Sequence, residues 1–166
     1  MKTILLLIAS IALLAGSTLA DDHGGGNKYG GENRGKPVQP AQLNAQWQAE
    51  CGSCHLAFSP GLLPAASWRK MMGGLDKHFG SDASLTPQEN RAITAFLVDN
   101  ASNRWRAPTA PLRITETAWF QSKHDSHEIR PEIWKRASVK SPANCAACHP
   151  GAAKGDFEED RIRIPR

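Results

Sequence analysis

Four cysteines occupy two copies of one five-residue pattern, CGSCH at residues 51–55 and CAACH at residues 145–149. Residues i, i+3 and i+4 of a helical turn share one face, so each copy presents two thiols and the following imidazole to the same side. That arrangement suits a c-type haem: the thiols form thioethers with its vinyl groups, and the histidine reaches the iron. Disulfides, a thioredoxin-like redox pair and a four-sulfur zinc site also use Cys-x-x-Cys spacing. None of them calls for the adjacent histidine, and no βαβ pattern surrounds either pair. Cys51, Cys54, Cys145 and Cys148 are therefore read as attachment residues, His55 and His149 as proximal ligands, and two haem c groups as the cofactors.

Residues 1–20, MKTILLLIASIALLAGSTLA, carry an early lysine, a short apolar run and small residues at the end. The run is shorter than the roughly 20 apolar residues a membrane span needs. It reads as a signal peptide cleaved after Ala20, which predicts an exported protein without stable membrane insertion. Residues 21–40 form a Gly-rich leader with too little apolar content for a core, expected to be flexible. The chain carries 20 Lys and Arg against 16 Asp and Glu. That mild excess, without long runs of like charge, does not suggest nucleic-acid binding.

A six-coordinate haem iron takes a second axial ligand, commonly Met or His in electron-transfer proteins. The three methionines are Met1, Met71 and Met72, so no thioether follows position 72. The second haem is therefore expected to draw its distal ligand from the histidines. His23 lies in the leader, which leaves His78, His124 and His127. Residues alone leave His124 and His127 open for the second haem. They leave His78, Met71 and Met72 open for the first, although both methionines also sit at spacings that suit core packing.

The fold is expected to be mainly α. Residues 41–103 form the first haem lobe, with helices in AQLNAQWQAE, PAASWRKMMGGLDKHFG and TPQENRAITAFLVDNA. The last has Thr86 as N-cap, Pro87 at the first helical position and Glu89 for a capping box, followed by the apolar stripe Ile93, Phe96 and Leu97. This layout is similar to a small class I cytochrome c. Residues 104–166 form a second haem lobe, entered through Pro108 and Pro111. It has little periodicity, and its few aliphatics call for a haem to complete the core. Trp105, Trp119 and Trp134 are expected against that haem or the first lobe. Pro60, Pro64 and Pro150 are candidates for shaping the haem loops. Arg69, Arg113, Arg130 and Lys135 are candidates for pairing with haem propionates, or plain surface charges.

The stretches CGSCHLAFSPGLLP, SWRKMMGGLDKHFGSDASL, LRITETAWFQSKH, IWKRASVKSPANCAACHPGA and GDFEEDRIRIP resemble the bacterial dihaem cytochrome c family over roughly residues 45–165. The resemblance implies two bis-histidine, low-spin haems in a class I cytochrome c-like lobe and a largely irregular C-terminal lobe. It implies His78, from KHFG, as the distal ligand of the first haem and His124, from WFQSKH, as that of the second. The following DSHEIRPE keeps His127 as an alternative. It further implies electron transfer between a membrane b-type cytochrome and small soluble haem proteins. An electron carrier that is not an enzyme, and a monomer, is the resulting expectation. The rival is a dihaem peroxidase-like enzyme with one open or displaceable axial position. Known enzymes of that kind are much longer, and no extra catalytic segment is evident here.

Overall fold

The computed structural model describes residues 44–102 and 109–166. The segments read as a signal peptide, 1–20, and as a flexible leader, 21–40, together with His23, Trp105 and Pro108, lie outside the described residues. Among the described residues there are five α-helices, α1 Ala45–Gly52, α2 Ala65–Met72, α3 Pro87–Asp99, α4 Ala118–Lys123 and α5 Pro131–Trp134, with short 3₁₀ turns between the first four and after the last. Among the described residues there is no strand, only an isolated bridge between His78 and Ser81.

Local chemistry accounts for the helix ends. The Asn44 side chain accepts the Trp47 N–H at 2.9 Å and starts α1, supplying a partner for one of the orphan donors of a first turn. The segment PAASWRKMMGGLDKHFG does not form the single helix expected of it. Gly73 and Gly74 end α2 after Met72, and a separate 3₁₀ turn, Leu75–Lys77, follows. Two successive glycines weaken helix continuation, and Gly73 sits at the cap with its N–H on the Arg69 carbonyl. The break lets His78 leave the helix direction.

The capping box of α3 is complete. The Thr86 hydroxyl accepts the Glu89 N–H at 3.3 Å, and the Glu89 carboxylate accepts the Thr86 N–H at 3.0 Å. The Thr86 hydroxyl, and next its backbone N–H, hold the Glu89 carboxyl below its ordinary value. A lowered folded-state value means that this stabilisation is present above the ordinary carboxylate range and lost as pH falls through the lowered value. Thr86→Ala is expected to cost about 1 kcal/mol near neutral pH and less in acid. Thermal denaturation at the two pH values measures both effects.

The core consists of Trp47 from α1, Leu63, Trp68 and Met72 from α2 and its approach, and Ile93 and Leu97 from α3. Phe96, only partly buried, tilts against Trp47 with ring centroids 5.4 Å apart. Two polar ties fix α2: the Trp68 indole N–H donates to the Pro60 carbonyl at 2.7 Å, and Asn90 donates to the Met72 carbonyl at 2.9 Å. Ile114 packs on this core from the C-terminal half of the chain, and the Ser102 N–H donates to the Leu63 carbonyl at 3.0 Å. Beyond Ile114 the buried apolar residues reduce to Phe120, Ile133, Val139 and Ala152.

Candidate haem sites

The last turn of α1 carries Cys51, and Cys54 and His55 follow in the turn beyond it. The His55 Nδ1–H donates to the Leu56 carbonyl at 2.7 Å, which in that tautomer leaves Nε2 as the free ligand atom. Facing it, with ring centroids 6.0 Å apart and planes 21° apart, is His78. Burial, and secondarily the neighbouring His55, push the His78 imidazole below its ordinary value. It therefore favours the neutral form in which an imidazole binds metal. Phe58 lies 5.2 Å from the His55 ring, and Phe79 meets His78 edge-on at 4.9 Å. Met72 is 5 % exposed within the core, and Met71 is half-buried against it. Both methionines are thus packing groups.

The second motif is one tight turn. The His149 N–H donates to the Cys145 carbonyl at 2.8 Å, and Asn144 anchors the turn by donating to the Val139 carbonyl at 3.0 Å. His124 caps the end of α4. Its Nδ1–H donates to the Phe120 carbonyl one turn earlier at 3.0 Å, and the two rings stack at 4.1 Å and 9°. The His124 and His149 rings face each other at 6.1 Å with planes 67° apart. Burial lowers both imidazoles from their ordinary value, strongest-acting in each case. His127, by contrast, is exposed and absent from the cavity beside His124. Its backbone N–H donates to the Asp125 side chain at 2.8 Å, closing a surface turn.

That cavity holds about 580 Å³ and is walled by Ile114, Trp119, Phe120, Trp134 and Phe157 together with Cys145, Cys148, His124 and His149. Its size lies within the usual range for cofactor sites, and its lining is mostly apolar. The imidazole pairs fit an axially ligated iron. With metal–imidazole bonds of about 2.0 Å and the ring's own radius added at each end, centroids should stand about 6 Å apart. The cysteines fit as well. None is in a disulfide. Burial raises the thiols of Cys51 and Cys148 and pushes Cys145 up to about 11, the opposite of the lowered values of reactive redox pairs. Among the described residues no cluster of three or more His, Cys, Asp or Glu is arranged for a bare metal ion.

Several supporting residues escape sequence reading. Phe120 and Phe157 pack on the second imidazole pair, and Phe79 on the first. Lys123 is a cation on the wall of the second cavity, paired with Glu159 at 3.5 Å. The four basic residues singled out from sequence do not line that cavity: Arg69 and Lys135 are exposed, and Arg130 pairs with Glu132 at 3.2 Å. Arg113 lies over the Phe79 ring at 4.2 Å and pairs with Glu116 at 3.6 Å. Of the prolines, Pro60 opens a buried 3₁₀ turn and Pro64 caps α2, whereas Pro150 is exposed. The i, i+4 spacing of Phe120 and His124 was a usable signal for the former, since such residues share a helix face.

Two haem-attachment motifs, each supplying one imidazole of a facing pair on a helical scaffold, define a c-type cytochrome with two haems. Residues 47–157 match the family described as Dihaem cytochrome c. The fold is similar to the diheme cytochrome c from Rhodobacter sphaeroides, with 39% identity over 70% of this chain and 98% of that one and a TM-score of 0.63. It is likewise similar to a new diheme cytochrome type c from Shewanella baltica OS155, with 41% identity over 74% of this chain and 93% of that one and a TM-score of 0.64. No curated protein matches the chain. The chain belongs to the dihaem cytochrome c family and carries two c-type haems with their irons. No helix among the described residues is long and apolar enough to cross a membrane.

Proposed function

We propose that this cytochrome is a periplasmic electron carrier, exported through a signal peptide cleaved after Ala20, in which both haems are bis-histidine and low spin. His55 and His78 hold the first iron, and His149 and His124 the second. The carrying observation is the pair of imidazole separations, 6.0 and 6.1 Å, each of a length that one iron bound between the two rings would require. Bound haem supplies one-electron exchange between ferric and ferrous iron. The protein's part is to keep both axial positions filled, so that no substrate reaches the metal. Nδ1 bonds from His55 and His124 to backbone carbonyls fix ring orientation, which limits rearrangement when the charge at iron changes. Such a chain relays electrons and is not an enzyme in its own right.

In this reading residues 41–103 are a class I cytochrome c-like lobe and residues 104–166 an irregular lobe completed by its haem. The donor is a membrane b-type cytochrome, the other partner a small soluble haem protein, and the carrier works as a monomer. Without a thioether ligand at either iron, both potentials are expected to be comparatively low. Carbon monoxide offered to the fully reduced protein is the test. Absorbance spectra unchanged by the gas are expected. Prompt binding at one haem of two would favour the peroxidase-like alternative with a displaceable ligand.

A further inference from the structure

We infer that Phe79 and Arg113 are positioning residues that aim the His78 imidazole at the first iron, in place of the hydrogen bond that performs this task elsewhere in the molecule. The inference rests on the reading of His78 as an axial ligand. His55 and His124 each donate Nδ1–H to a backbone carbonyl, at 2.7 and 3.0 Å. The buried Nδ1 of His78 has no such partner. Its ring must be oriented by packing instead, and the residue packed on it is unusual. Phe79 and Gly80 both have positive φ, +50° and +97°, within a turn closed by the Ser81 N–H donating to the His78 carbonyl at 3.0 Å. Positive φ at both central positions is the type I′ pattern, which favours Gly, Asn or Asp at the place Phe79 occupies. An aromatic residue held there needs a compensating contact.

Two contacts are present. The Phe79 ring meets His78 edge-on at 4.9 Å and 63°, and the Arg113 guanidinium lies over the same ring, 4.2 Å from its centroid. A guanidinium over an aromatic face is attracted by the ring's negative face. It fixes the plane of Phe79, and Phe79 in turn limits rotation of His78. Arg113 is followed by Ile114, which both packs on the first core and lines the second haem cavity. The aim of the first distal ligand therefore depends on the segment that enters the second site.

The test uses the holoprotein carrying Phe79→Ala, Arg113→Gln, Arg113→Lys or His78→Ala, read by electron paramagnetic resonance of the ferric form and by carbon monoxide uptake after reduction. The two haems have separable signals, because one imidazole pair is near-parallel and the other near-perpendicular. Phe79→Ala and Arg113→Gln are each expected to shift or broaden the near-parallel signal and admit carbon monoxide at one haem of two. Arg113→Lys, which keeps the cation, should stay close to wild type. Exposed Arg113 can be replaced without opening the core, so Arg113→Gln remains informative should Phe79→Ala fold poorly. An unchanged near-parallel signal without carbon monoxide uptake in Arg113→Gln overturns the inference, as does a parallel disturbance of both signals. If His78→Ala leaves both haems low spin, the ligand reading itself has failed. If only His78→Ala opens a site or alters the near-parallel signal, the ligand stands and the positioning role is rejected.

Discussion

His124→Ala is expected to convert one haem of two to a high-spin form that binds carbon monoxide on reduction, while His127→Ala leaves both haems as in wild type. The two residues stand three positions apart in one polar stretch, yet their surroundings differ in every respect relevant to ligation. The His124 ring is stacked on Phe120, bonded through Nδ1 to the Phe120 carbonyl, and turned toward His149 across 6.1 Å. His127 is exposed, in a turn tied down by Asp125. An imidazole held in advance loses little rotational freedom on ligation, whereas an exposed one must be ordered and brought inward first. Added imidazole should restore the low-spin spectrum of His124→Ala, because the side chain's removal leaves a space of that shape. A high-spin haem in His127→Ala, with His124→Ala unaffected, would reverse the assignment.

The second large effect separates packing from ligation at the first haem. Met72→Ala is expected to cost about 2–5 kcal/mol of stability while both haems stay low spin. Met72 contributes a buried thioether to a core shared with Trp47, Trp68, Ile93 and Leu97, and truncation leaves a void there. His78→Ala should do the converse, giving one high-spin haem with a much smaller loss in thermal stability of the core. Met72→Leu, close in volume, should cost less than about 1.5 kcal/mol and leave the spectrum alone. A high-spin haem in Met72→Leu would mean that the sulfur, not the imidazole, is bound to iron.

Residues differed in how far they could be read without coordinates. The doubled CxxCH was legible because covalent attachment demands three groups at fixed spacing within one turn. The start of α3 was legible too, since Thr86, Pro87 and Glu89 act through neighbours only three positions away. The length of α2 was misjudged where Gly73 and Gly74 interrupt an otherwise continuous apolar pattern. The choice between His124 and His127 could not be read from spacing alone: each can sit near a haem until the chain direction after α4 is known. Lys123 and Phe157 escaped notice because their places on the cavity wall depend on how an irregular C-terminal segment is folded over Cys145 and His149. That segment has few periodic signals, and its order comes from contacts between aromatic rings distant in sequence, such as Phe120 with Trp134 and Trp134 with His124.

The orientation of the imidazole rings gives the most direct access to the ligation. Parallel imidazoles interact with the same iron d orbital and split the pair of orbitals that lie toward the axial ligands. Perpendicular imidazoles act on both alike and leave them nearly degenerate. Planes 21° apart at the first haem and 67° apart at the second should therefore yield unlike low-spin spectra. Electron paramagnetic resonance of the oxidised wild-type protein, with spins counted against haem, is the decisive measurement. Two low-spin signals of equal weight are expected, one ordinarily rhombic and one strongly anisotropic, with no high-spin component. A high-spin signal accounting for one haem would contradict bis-histidine ligation and, with it, the electron-carrier role.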